Sequence, residues 1–360
     1  MLGSGEYRVM VADRGGGVEL GEVTDIIRLK ADWVRDDIGA CSLTVGKPSA
    51  ACCALLAQAR TVRMELVVYR NGVRVWEGPI TRLAYFPDYI EVDAKNVVWY
   101  LSRRVLEVAI DNTGVSVNAV DLVLDTLLAH YSATDDPFNI GPWLMKINGP
   151  DDARTANKHE AYSKTLFEFL DRYAEDGGLD YLVRGRRIVV VDTHTKVALL
   201  PKLTDEHFFD SLGVVEYGSE LATRSYVDNT QAAVGVALAP QEWQDYYGPI
   251  DKVVTNDTEQ GADAETSQNV LSEQADRLLG RGYPAPMDVL VPENVGVNPN
   301  VPVEFTDFMP GAIVPVEARL TCRSLVQYQR INALSTTWTT DGESVSVSMI
   351  QAPAKLVEGL

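Results

Sequence analysis

Residues 62–94 read VRMELVVYRNGVRVWEGPITRLAYFPDYIEVDA, and the pattern of that stretch decides the fold. Val62 to Arg70 and Val73 to Leu83 are β runs rich in valine and aromatic side chains, and they flank Asn71-Gly72. Asn-Gly is the two-residue connection whose positive φ angles match the twist of an antiparallel hairpin. Pro87-Asp88 then turns the chain into a third run, Tyr89 to Ala94. Gly78-Pro79 falls inside the second arm. Proline has no N–H for a central ladder, so this pair predicts a bend or an edge position.

Working outward, Tyr7 to Val11, Val23 to Lys30 and Cys41 to Val45 are further strands, and Pro48-Ser49 opens a short helix over Ala50 to Ala59. Residues 1–110 therefore read as a small antiparallel barrel or sandwich. From Asn118 the apolar period changes to 3.6. Val120, Val123, Leu124, Leu127 and Leu128 share one helical face, with Asn118 as N-cap. A second helix spans about Lys164 to Glu175, with Leu166, Phe167, Leu170, Tyr173 and Ala174 on its apolar face and Gly177-Gly178 as its stop. Leu179 to Val183 and Arg187 to Val191 form a hairpin around Arg184-Gly185, which makes 111–200 an α+β insert.

Residues 201–360 are β-rich again. Val214 to Tyr217, Ala222 to Val227, Ala232 to Ala239, Val301 to Phe305 and Ile313 to Ala318 read as strands. A helix over Ala264 to Leu279 places Leu271, Ala275 and Leu278 on one face, and Gly280, Gly282, Pro284 and Pro286 end it. Ile331 to Thr340 and Glu343 to Ile350 close the chain as a hairpin around Asp341-Gly342. The fold class is α+β and mainly β: two small antiparallel β modules separated by the insert.

The 360 residues carry 32 Lys+Arg against 51 Asp+Glu, a formal charge of −19, so clustered cations for gripping duplex DNA are not available. An acidic chain suits a passage through which DNA slides without sticking. The longest apolar stretch, Ala50 to Ala59, is interrupted by Gln58 and falls short of the ~18–20 residues of a membrane span. The opening MLGSGEYRVM lacks a basic segment followed by an apolar one, so no secretory signal is expected. Cys41, Cys52, Cys53 and Cys322 have no zinc spacing and read as reduced, buried thiols of a protein folded in the cytoplasm.

Catalytic and cofactor signatures are missing from the sequence: no nucleophile elbow, Walker A loop, HExxH or dinucleotide fingerprint. The expectation is a non-enzyme with no metal and no cofactor. Asp36-Asp37, Asp135-Asp136, Asp151-Asp152 and Glu175-Asp176 are adjacent carboxylates of the kind a glycosidase pairs, but neighbours along a strand point to opposite faces. Arg184, Arg186 and Arg187 cluster at a hairpin tip and read as a solvated turn or as a contact with an acidic neighbour, for which another copy of the chain is a candidate. Trp243, Tyr246 and Tyr247 form an aromatic patch suited to packing, to an interface or to stacking on sugars.

The order of these parts carries a resemblance. Trp33-Val34-Arg35-Asp36-Asp37-Ile38-Gly39 followed by Ser42-Leu43-Thr44-Val45, the hairpin with Trp76-Glu77-Gly78-Pro79-Ile80 at its bend, TLFEFLDRYAEDGGLDYLVRGRRIVVVD, YGPIDKVVTND, NVLSEQADRLLGRG, MPGAIVPVEARL and GESVSVSMI together resemble minor tail proteins of long-tailed actinobacterial phages. The resemblance implies a tail-tip or baseplate hub. Two tube-like β-barrel domains per chain (1–110 and 201–360) would give a homotrimer with a pseudo-sixfold ring, adapting the tail tube to the tip. It also implies partners: a distal tail protein ring, tape-measure protein, other tail-tip or fibre proteins, and phage DNA that passes without specific binding. Many relatives continue into a fibre or peptidase region absent here, so wall cleavage and receptor contact are expected of other tail proteins. The expected location is the virion tail tip, after synthesis in the host cytoplasm. Two further readings stay open: a carbohydrate-binding tail protein using Trp243, Tyr246 and Tyr247, and a wall-degrading glycosidase.

Overall fold

The computed structural model describes residues 2–112, 117–132, 139–147, 149, 154–155, 158–175, 178–228, 234–255, 271–272, 275, 279 and 287–357. It is mainly β with a minority of helix. The chain forms two compact units, one of Met1–Ser211, Val291–Glu317 and Val326–Leu360, the other of Leu212–Leu290 with Ala318–Leu325. Residues 201–360 are thus shared between both units.

The first unit opens with β1 (Tyr7–Asp13), β2 (Glu19–Val23), β3 (Ile26–Val34), β4 (Ala40–Gly46), α1 (Ala50–Gln58), β5 (Met64–Arg70), β6 (Val73–Tyr85) and β7 (Tyr89–Lys95). Asn71 and Gly72 have φ of 51° and 77°, as the Asn-Gly hairpin requires. The single strand expected over Val23 to Lys30 is split into β2 and β3, because Asp25 takes a φ of 60° and turns the chain. The two β modules also share one sheet. Its twelve strands run Leu203–Thr204, Ile313–Ala318, Leu325–Thr339, β3, β4, β7, β6, β5, β1, β2, while Gly342–Gln351 pairs with Leu325–Thr339 and with Val295–Val297. Neither module closes into a barrel by backbone pairing among the described residues. The strand expected at Val301 to Phe305 is a run of bends and turns instead. Its apolar residues Val301, Val303 and Phe305 are buried, which explains the misleading alternation; they plug a core without joining a ladder.

Gly78-Pro79 marks where β6 changes partners. Val73 to Pro79 pairs with β5, and Ile80 to Tyr85 pairs with β7. A Cβ on Gly78 would lie 1.8 Å from the Lys95 carbonyl oxygen, so the end of β7 crosses where only glycine leaves room. Two reciprocal indole bonds hold the bend: Trp33 Nε1 donates to the Val75 carbonyl (3.1 Å) and Trp76 Nε1 to the Asp32 carbonyl (3.3 Å).

The insert is fused to the first β module by a common core. A 3-10 segment, Val97–Arg103, buries Val98 and Leu101 against α2 (Ala119–Ser132) and α3 (Leu166–Glu175). Asn118 caps α2, its Oδ1 accepting from the Asp121 N–H at 2.8 Å. Thr165 and Glu168 form a capping box on α3. Phe169 is buried on α3 where the sequence favoured Phe167, and Leu128 on α2 is exposed. Leu179–Arg184 and Arg187–Asp192 form the expected hairpin.

In the second unit Arg224–Asp228 lies between antiparallel Val234–Leu238 and parallel Asp251–Thr255. Val227 and Ala237 pack on Leu271, Ala275 and Leu279. These last three are helical, so Leu279 holds the buried position after Ala275. Leu278, residues 264–270 of the expected helix and its terminators Gly280, Gly282, Pro284 and Pro286 lie outside the described residues.

Gly78→Ala is expected to cost about 3 kcal/mol, the upper end for overpacking, read as a Tm fall of roughly 6 °C or more in a domain of this size. An unchanged Tm would show that β7 yields at the crossing.

Candidate functional site

One face of the sheet is polar across six strands. Strands alternate their side chains, and β3, β4 and β7 send Leu29, Ala31, Trp33, Leu43, Val45 and Val92 inward, all buried. The other face is built in register. Ser344, Thr337, Lys30, Ser42, Asp93 and Arg82 form one rung across the closing hairpin, β3, β4, β7 and β6. Thr339, Arg28, Thr44 and Glu91 form the next, and Ser346, Ser335 and Asp32 flank on the other side. None of these residues is buried. Cations and carboxylates balance on this face: Lys30 reaches Asp32 at 3.4 Å, and Arg82 reaches Asp93 at 2.8 Å and Glu91 at 3.0 Å. The surface is thus hydroxyl-rich and charge-balanced, and the chain's net acidity lies elsewhere.

Three buried ionic clasps hold the elements that carry this face. In the first, Arg70 forms a two-point bond with Glu343 (2.9 and 2.8 Å), both side chains under 5% exposed, and also donates to the Leu2 and Gly3 carbonyls at 3.0 Å. Tyr7 adds a hydrogen bond to the same carboxylate, and burial followed by the Glu343 charge pushes its phenol above the ordinary range. This clasp joins β1 and β5 to the closing hairpin. In the second, Arg35 bonds Asp180 (2.6 Å) and Asp36 (3.1 Å), while Arg330 bonds Asp180 from the other side (2.7 Å).

The third clasp involves an arginine singled out from the sequence. Arg186 at the insert hairpin tip bonds Glu65 of β5 and Glu77 of β6, the latter at 3.0 Å. Glu65 also accepts from Tyr100 Oη (2.7 Å) and from the Gly15 N–H (3.2 Å), and Arg74 bonds Glu77 at 3.1 Å. The Arg186 guanidinium lies 4.5 Å from the Trp143 ring centroid. Burial holds Glu77 above the usual carboxylate range, against the pull of Arg186 and Arg74. The sequence offered no signal for Glu65 and Glu77 as partners, because they lie twelve positions apart and only the hairpin register, with Glu65 opposite Pro79 and Glu77 opposite Val67, makes them diagonal neighbours. Acidic neighbours of Arg186 therefore lie within the same chain. Arg184 is half-buried, its charged form disfavoured by burial, and Arg187 is exposed.

Trp243, Tyr246 and Tyr247 sit on a short helix, Gln241–Tyr247. Trp243 packs on the second unit's core and stacks on Tyr247 (5.8 Å, 13°), which leaves Tyr246 as the ring most open to solvent, 77% exposed. Of the adjacent carboxylates, Asp36 is drawn into the second clasp, and Asp135, Asp136, Asp151, Asp152 and Asp176 lie outside the described residues. All four cysteines are free. Cys41 and Cys52 are buried as expected, while Cys53, on the outer side of α1, and Cys322, in a run of bends, are exposed, so burial holds for only two. Among the described residues no group of His, Cys, Asp and Glu is placed to hold a metal, and no helix is long and apolar enough to cross a membrane.

No protein-family model matches the sequence, and no curated protein matches it significantly. Solved structures do share its architecture. The 43 kDa tail protein of prophage MuSo2 from Shewanella oneidensis superposes with a TM-score of 0.59 at 10% identity, over 96% of this chain and 98% of that one. The fold is that of phage tail proteins. Prophage tail protein gp18 from Listeria monocytogenes EGD-e gives 0.55 at 15% identity, over 95% and 94%. An Escherichia coli component of the type VI secretion system, itself structurally similar to the T4 tail proteins gp27 and gp5, gives 0.51 at 10%, over 92% and 74%.

Arg186→Ala leaves two buried carboxylates without their shared cation and is expected to destabilise by about 3–5 kcal/mol. Combining Arg186→Met with Glu65→Gln and Glu77→Gln should recover most of that loss in urea unfolding. A triple variant no better than Arg186→Ala would show that packing on Trp143, and not charge, is what the arginine supplies.

Proposed function

We propose that this chain is a structural component of a phage tail, the hub of the tail tip, in which three copies close a pseudo-sixfold ring around the path of tape-measure protein and DNA. The observation that carries the reading is the direct pairing of the first and last β segments in one sheet. Ala333 to Thr339 lies antiparallel to Arg28 to Val34, so a single chain presents two β modules side by side with one continuous polar face. Three such chains supply six modules, the number needed to meet a sixfold tube from a threefold tip. The likeness of almost the whole chain to tail proteins supports the same reading.

Residues Ile80 to Tyr85 have β7 as their only sheet partner among the described strands, and the closing hairpin lies at the other end of the polar face. At that end Val295–Val297 already pairs with Gly342–Gln351, so the open stretch of β6 is the place for a strand of a neighbouring copy, and a rotation that closes yields a ring. In this reading the polar face lines the channel. Hydroxyls and self-neutralised ion pairs give phosphates no net cation to condense on, so no counterions are released and DNA is not retained. A distal tail protein ring, tape-measure protein and other tip or fibre proteins are the partners, and the virion tail tip is the location. The glycan-binding reading is weaker, because Trp243 is stacked and packed. The glycosidase reading is weaker too, since Asp36, one of its candidate carboxylates, is held by Arg35 and by the Tyr181 N–H.

Light scattering on the purified chain should give about three times 39.5 kDa, with ring-shaped particles in negative stain of the same peak. A monomer that stays monomeric when mixed with its neighbouring tail proteins would overturn the ring. Ser42→Lys combined with Thr337→Lys places three lysines in one rung with Lys30 and is expected to create salt-dependent DNA retention that the unmodified chain lacks. Retention by the unmodified chain at physiological salt would count against a channel lining.

A further inference from the structure

The second clasp has a feature that mere attachment does not require. Asp36 stands at the β3–β4 turn with φ of 56°, and its backbone and side chain both grip one residue of the insert hairpin. Its N–H donates to the Tyr181 carbonyl (3.0 Å), and its Oδ1 accepts from the Tyr181 N–H (2.7 Å). Its other oxygen, Oδ2, shares Arg35 Nη1 with Asp180 Oδ1. Two carboxylates therefore converge on one guanidinium nitrogen, in a place where Asp180 is only 6% exposed. Arg330 engages Asp180 (2.7 Å) and the Thr193 carbonyl (3.2 Å) through the same nitrogen, Nη1.

We propose that Asp36 and Asp180 form a proton-sensitive joint that holds the insert hairpin tightly against the β body in mildly acidic conditions and loosens it as the pH rises. The charged groups around Asp36 are Arg35 and Asp37 from its own turn, Asp180 from the hairpin, Arg330 from the closing strand, and Asp171 of α3, which accepts from the Tyr181 phenol at 3.0 Å. A proton on Asp36 removes the repulsion between the paired carboxylates while leaving Oδ1 free to accept from Tyr181. Burial first, then the Asp180 charge, push the Asp36 carboxyl up to about 7, against the pull of Arg35, the Tyr181 N–H and Arg330.

The sign follows from linkage. A carboxyl raised in the folded state contributes stability that is complete below its unfolded value of about 3.9 and is lost as the pH climbs through the folded value. With a folded midpoint near 7, opening of the joint should become about tenfold easier between about pH 6 and pH 8.

Hydrogen exchange of the intact chain, corrected for intrinsic rates, reads this at the peptide containing Tyr181. The expected result is about tenfold stronger protection at about pH 6 than at pH 8 in the unmodified chain, and no such difference in Asp36→Asn. Asparagine tolerates the left-handed φ and keeps an acceptor for the Tyr181 N–H. Equal protection at both pH values, or an unchanged pH response in Asp36→Asn, would overturn the joint. Should the variant fail to fold, the ¹⁵N shift of the Tyr181 amide in the unmodified chain decides. An inflection near 7 supports the proposal, and a flat line between about pH 5.5 and 8.5 refutes it.

Discussion

Seven register pairs, from Ala333↔Val34 to Thr339↔Arg28, join residues some 300 positions apart in sequence, and the rest of the first unit depends on them. Backbone groups inside a sheet must be paired, because an unpaired buried N–H or carbonyl costs about as much as a lost hydrogen bond. Once Leu325–Thr339 lies beside β3, the polar face runs unbroken from the closing hairpin to β6. A one-residue slip in this ladder would turn Leu334 and Thr336 outward and bury Ser335 and Thr337, so the register is enforced by burial on one side only.

The ionic clasps fix that register from outside the ladder. Arg70–Glu343 binds the first module to the tip of the closing hairpin, Arg35–Asp180–Arg330 binds the β3–β4 turn and the closing strand to the insert, and Arg186 binds the insert tip to β5 and β6. Buried ion pairs contribute little net stability, since desolvation offsets most of their attraction. Their value lies in exclusivity: each arginine has its carboxylates waiting at one position, and every displaced arrangement strands a buried charge.

The polar face also revises the link between charge and passage. A net charge of −19 suggested an acidic lining, yet the face proposed to line the channel carries Arg28, Lys30 and Arg82 against Asp32, Glu91 and Asp93 among serines and threonines. Neutrality at short range is enough to prevent adhesion, because retention of DNA depends on cations that displace its counterions.

Local signals were legible in the sequence wherever neighbours along the chain decide the conformation. The Asn71-Gly72 hairpin, the Asn118 cap, the two insert helices and the bend at Gly78-Pro79 all depend on residues within a few positions of one another. The apolar run from Val301 to Phe305 misled for the same reason, since alternation records burial but does not distinguish a ladder from a plug. Trp33, Arg35, Asp36, Trp76 and Glu77 were legible as parts of recurring motifs, but their tasks were not. The crossing of indoles between β3 and β6, the convergence of Asp36 with Asp180, and the capture of Arg186 by Glu65 and Glu77 each join segments that approach only after the sheet has formed. By itself the sequence was enough for most strands, helices and tight turns, with the run at Val301 to Phe305 and the break at Asp25 among the exceptions. Tertiary structure decided which strand stands next to which and which charges meet, because pairing partners and buried counter-charges are set by distance in space, which sequence separation does not encode.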